Sequence, residues 1–126
     1  MLNLFKATHP LQAMMRQLTW PVLLIWGVAV GIVFEAITLF MRFGLKLEST
    51  RDTASTVGVL TFGLRVHHGY IGLLMMLLAW SLLRNRSWAK LVFVFGVGLF
   101  LSDMVHHFLV LWPITGHHEF YLVYPD

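Results

Sequence analysis

The chain has 126 residues, 58% of them apolar and 12% charged. A soluble domain carries about 25% charged residues; here the charges gather between long apolar runs, the pattern a bilayer imposes. With no cysteine, disulfides, zinc ribbons, thiolate nucleophiles and iron–sulfur clusters are excluded. The net charge of +3 does not point to nucleic acid, because the basic residues sit at the ends of apolar segments, where they orient helices.

Residues 1–18 mix apolar positions with Lys6 and Arg16 and read as a short interfacial helix or a tail. Residues 19–126 read as one transmembrane domain, so the expected fold class is an all-α integral membrane protein with three transmembrane helices. The first span covers about 20–41: Thr19 is placed to cap it, Pro21 fits its first turn, and Arg42 closes it. Its apolar run is too long for a signal peptide and no Ala-x-Ala-like site follows, so it is expected to stay as an anchor. A polar loop, 42–55, leads to the second apolar stretch, 56–83, which is interrupted by Arg65, His67 and His68. At 28 residues it is long for one crossing, which implies tilt or projection beyond the membrane. The basic turn Arg84–Lys90 precedes the third span, 91–112, which Pro113 and Gly116 end. The tail, 117–126, carries His117, His118, Glu119, Phe120, Tyr121 and Tyr124, residues suited to an interface.

Lys and Arg in short loops set orientation. The N-terminal segment and second loop share one side and carry Lys6, Arg16, Arg84, Arg86 and Lys90; the first loop and its surroundings carry Arg42, Lys46, Arg51 and Arg65. The compact triple in the second loop places the N-terminus in the cytoplasm and the C-terminus outside.

Ionisable residues inside a span are costly and usually have a reason to be there. The first span carries Glu35, the second His67 and His68, the third Asp103, His106 and His107. At 1.5 Å per residue, Glu35 lies roughly 22 Å from the inner boundary, the histidine pair of the second span roughly 24–25 Å, and the third-span residues roughly 20–25 Å. All six therefore fall in one layer toward the outer face. Gly27, Gly31 and Glu35 share a helix face, as do His68, Gly72 and Ala79, and Gly96 and Asp103. Each close-packing face thus also carries a polar residue, whereas the greasier face of His67 points to another subunit.

Asp103 sets a carboxylate beside His106 or His107 at i+3 or i+4, the way helical bundles assemble metal sites. The candidate ligands are Glu35, His67, His68, Asp103, His106, His107 and His118, a nitrogen–oxygen set suited to copper, zinc or iron. The tail residues His117, His118 and Glu119 are placed to fold back as further ligands or as partners that orient them. The function expected is that of a small multi-pass membrane metalloprotein, with catalysis left open, in a homo-oligomer or with other membrane subunits. Two alternatives stand beside it: a haem b electron-transfer anchor with His68 and His106 as axial ligands, and an accessory subunit whose polar residues only lock helices or dock a partner. No nucleotide-binding loop, serine triad or His-Glu-x-x-His motif is present.

Overall fold

The computed structural model describes residues 10–52, 54–82 and 84–124. Among them the regular elements are all helical: α1 (Pro10–Gln17), α2 (Trp20–Leu39), α3 (Ser49–Asp52), α4 (His68–Ser81), α5 (Ala89–Met104) and α6 (Trp112–Thr115). α1 forms where an interfacial helix was expected; residues 1–9 of that segment, Leu83 at the close of the second span, and the end of the tail lie outside the described residues.

Two helical rods are long and apolar enough to cross a membrane. α2 continues through a π-helical turn to give Trp20–Gly44, and α5 continues through a π-helical segment, Val105–Leu111, into α6 to give Ala89–Thr115. Pro21 sits in the first turn of α2, where its missing N–H leaves no helical bond unmade. Thr19 precedes that turn in an extended conformation, but its side chain makes no capping hydrogen bond, so the helix is started by proline rather than by the expected hydroxyl. Gly116, at φ 78°, takes the left-handed conformation that stops the second rod.

The expected 28-residue helix over 56–83 does not form. The stretch begins helically, in a π-helical turn over Ala54–Gly58 that runs on to Leu60, but the chain breaks there, and the helix that follows, α4, has 14 residues, about 21 Å of length, against roughly 30 Å of bilayer hydrocarbon. The physical cause lies just upstream. Phe62 and Gly63 have φ of 55° and 84°, and His67 is extended at φ −86°, ψ 139°. The tail then takes the backbone groups a helix would have used: the Arg65 N–H donates to the Leu122 carbonyl at 2.9 Å, and the Tyr124 N–H to the Gly63 carbonyl at 3.0 Å. An isolated antiparallel bridge joins Leu64 to Val123 between them.

α5 is the central helix, with α2 and α4 both packed on it. Half of its most apolar stretch is buried in the protein, against 22% for α2. The buried side of α2 is Leu23, Gly27, Gly31 and Glu35, one residue in four, and it rests on Val97 and Gly98 of α5. The glycine stripe is therefore filled within the chain. α4 and α5 approach more closely still: a Cβ on Gly72 would lie 2.5 Å from the Gly96 carbonyl oxygen. Only small residues allow that separation.

At one end of the bundle Trp20 packs on Trp80 and Phe93, and the Lys90 ammonium donates to the carbonyls of Arg16 and Leu18 at 2.9 and 2.7 Å, tying α1 to the start of α5. The polar residues gather at the other end.

Candidate metal centre

Asp103 is fully buried in the last turn of α5. Its carboxylate lies against Gly69 in the first turn of α4, where a Cβ would come within 2.5 Å of Oδ2. The N-terminus of a helix favours such a carboxylate through its unsatisfied N–H groups and its dipole. His67 and His68 start that helix, and their rings reach the same oxygen: His68 Nδ1 lies 3.1 Å and His67 Nδ1 3.8 Å from Asp103 Oδ1. His107, one turn beyond Asp103, brings Nε2 to 3.6 Å. It stands in the π-helical segment, a wider turn that is frequent at functional sites.

Three imidazole nitrogens thus surround one carboxylate oxygen, yet among the described residues no well-aligned hydrogen bond reaches either oxygen of Asp103 or His68 Nε2. For two of the three rings, His67 and His107, the far nitrogen explains why. His67 Nε2 lies 3.0 Å from the Tyr121 carbonyl, and His107 Nδ1 lies 2.7 Å from the His118 carbonyl. A carbonyl only accepts, so these two nitrogens carry the hydrogens. In their neutral rings the two nitrogens that face Asp103, His67 Nδ1 and His107 Nε2, are then bare lone pairs. Lone pairs facing a buried carboxylate repel it unless a cation lies among them. Ligand atoms held about 2.0–2.2 Å from a tetrahedral ion sit roughly 3.4 Å from one another, and the observed separations bracket that value. The ring-to-carbonyl bonds are those that orient metal-binding histidines. The buried group His67, Asp103 and His107 could hold a metal ion, its ligand atoms all lying within 4.8 Å of one another.

His67 is fixed further by stacking on Phe120, with ring centroids 4.2 Å apart. The expected contact of His67 with another subunit is therefore replaced by burial within the chain, because the tail folds over it. His118 contributes its backbone rather than its ring: the Phe120 N–H donates to His118 Nδ1 at 2.9 Å, and the ring stacks on Phe108. His117 is exposed.

Glu35 and His106 form a second group. His106 Nδ1 and Glu35 Oε1 are hydrogen-bonded at 3.1 Å, and the Ser102 hydroxyl donates to Glu35 Oε2 at 3.3 Å. The polar residues expected in one layer are brought close together, but they divide into an Asp103 cluster and a Glu35 pair on adjacent faces of the central rod. Ser102 stands in the motif-like run Ser-Asp-x-x-His-His-Phe, but nothing in the sequence shows that its hydroxyl reaches Glu35 on another helix.

A cavity of about 440 Å³ opens above the Asp103 cluster, with His106 also on its wall. Its mouth is charged. Arg42 bridges Glu48 and Glu119, each at 2.8 Å, and the Arg65 guanidinium donates to the Glu119 carbonyl at 2.7 Å. Asp52 lies at the rim, where a hydrogen bond from Arg51 holds its carboxyl below the usual carboxylate range. The polar mouth, narrow apolar walls and nitrogen–oxygen floor make a site for a small ligand or a hydrated ion. Comparison with protein-family models, with curated proteins and with solved structures gives no match in any of the three.

Proposed function

We propose that the protein is a small integral membrane metalloprotein that binds one divalent transition-metal ion through His67, His68, Asp103 and His107, near the extracytoplasmic face and within an oligomer or a larger membrane complex. The observation that carries this reading is the aim of three imidazole nitrogens at one buried carboxylate oxygen, two of them with their hydrogens committed to carbonyls on the far side. Three nitrogens and an oxygen suit zinc, iron or copper(II). A haem would use two axial imidazoles and has no need of a carboxylate between them, which favours a bare ion. When bound, such an ion supplies Lewis acidity toward water or a small oxygen ligand. The chain's own residues do the rest: Asp103 offsets the charge, the Tyr121 and His118 carbonyls fix the rings, and Arg42 with Glu48 and Glu119 forms the rim through which a ligand passes.

Metal analysis of detergent-purified protein, with a visible spectrum on the same sample, tests this. About one ion per chain is expected, with no intense haem absorption, and Asp103→Ala and His107→Ala should each strip most of it. His117→Ala, whose ring is outside the cluster, should retain it. Unchanged metal in both cluster variants of native-like fold would overturn the assignment, as would a haem spectrum in the wild type.

A further inference from the structure

A second cavity, of about 360 Å³, lies on the seam between α2 and α5. Its walls are apolar, among them Val28, Gly31, Ile32, Leu101 and Val105, and its polar residues among those described are Glu35 and Ser102. Val28 and Ile32, 46% and 66% exposed, form its outer lip, so it opens sideways on the apolar flank of the bundle. In the membrane reading that flank faces lipid.

The two kinds of lining make different demands. The apolar wall gives water too few partners to hold it there, but accepts a hydrocarbon chain. A hydrocarbon chain alone leaves Glu35 short of donors: its carboxyl offers about four lone-pair positions, and the two hydrogen bonds it makes are to His106 and Ser102. A lipophilic molecule with a hydroxyl at its tip meets both demands at once. The size falls at the lower end of small-molecule sites.

We infer that the α2/α5 seam binds a hydroxyl-tipped, lipid-soluble molecule entering from the bilayer, with the hydroxyl donating to Glu35. His106 then gives the site a connection. Its Nδ1 is bonded to Glu35 on this side, and the same residue lines the cavity above Asp103 on the other. The ligand's hydroxyl stands at one end of a two-residue hydrogen-bonded chain whose far member, His106, lines the cavity above Asp103. The inference rests on the membrane reading but not on the metal.

The test uses protein reconstituted in phosphatidylcholine vesicles and a diazirine-bearing long-chain alcohol, with the matching diazirine-bearing alkane as control. The alcohol should label the stretch containing Leu101 and Val105 about tenfold more than the alkane, a ratio that one hydrogen bond supplies. Glu35→Leu should remove that preference, and Ala36→Phe, which fills the cavity from the lipid side, should block labelling altogether. Metal content should be unchanged in both variants, and His107→Ala should lose metal while keeping the labelling, so failure of either site is seen separately. Equal labelling by alcohol and alkane, or labelling indifferent to both cavity variants, would overturn the inference.

Discussion

Gly69 contributes no ligand atom, yet the geometry makes it as necessary to the site as the ligands. A Cβ there would stand 2.5 Å from Asp103 Oδ2 and 2.9 Å from Asp103 Cβ, inside any permitted contact. The carboxylate end could swing toward the cavity above it, but the Asp103 Cβ cannot yield, because its backbone belongs to the central helix. Gly69→Ala should therefore displace the carboxylate from the three imidazoles and lower metal affinity by at least about tenfold, in the range seen when groups that merely orient ligands are lost. Helix content by circular dichroism should hold, since alanine is the better helix former. Metal titration of this variant is the direct check, and wild-type affinity would show that the carboxylate is not positioned by close approach of α4.

At the scale of elements, the α4/α5 contact should be the least tolerant of added volume. A Cβ on Gly72 meets backbone, the Gly96 oxygen at 2.5 Å and the Phe100 nitrogen at 2.7 Å, whereas one on Gly31 meets the Gly98 oxygen at 3.3 Å. Backbone cannot swing aside, so Gly72→Ala forces the helices apart, at a cost in the range of about 1–3 kcal/mol for overpacking. Gly31→Ala should cost clearly less, and thermal unfolding in detergent will order the two; a larger loss at Gly31 would contradict the packing described. The sequence made these contacts partly legible. Gly27, Gly31 and Glu35 at intervals of four identify the buried side of α2, because a helix shows its face through its period. The partner of that face was not legible, since small residues invite any helix, and here α5 of the same chain fills it. The break before α4 was not legible either. Val59, Leu60, Phe62 and Leu64 are apolar enough to extend a span, but the helix stops after Leu60 and residues 63–65 pair through the main chain with residues 122–124, which leaves no mark in side-chain periodicity. For the same reason the depth of the histidines could be estimated from residue counts, while the roles of the Tyr121 and His118 carbonyls could not.

The whole molecule has two unlike ends, and their difference bears on how it sits in a membrane. At one end are the basic turn, with Arg84, Arg86 and Lys90, and α1, held by Lys90. Its arginines are exposed and no acidic side chain is paired with them among the described ion pairs. At the other end Arg42 is matched by Glu48 and Glu119, and Arg51 by Asp52. Lys and Arg near span ends hold a loop in the cytoplasm, with acidic residues contributing little, so the concentration of three cations within seven residues is the stronger signal. The basic turn is expected inside and the metal-site cavity outside. A crossing by α4, about 21 Å long, would need the stretch that precedes it as well. Non-helical backbone at membrane depth is tolerated where protein covers it, and here the tail supplies that cover through the bonds to Arg65 and Gly63. Two reporter fusions, after Asn85 and after Tyr124, test the arrangement together: an inside signal at Asn85 with an outside signal at Tyr124 requires an odd number of crossings between the two points. Inside signals at both would mean that the second rod does not cross. An outside signal at Asn85 would invert the orientation, and the cavity over Asp103 would then draw its ligands from the cytoplasm.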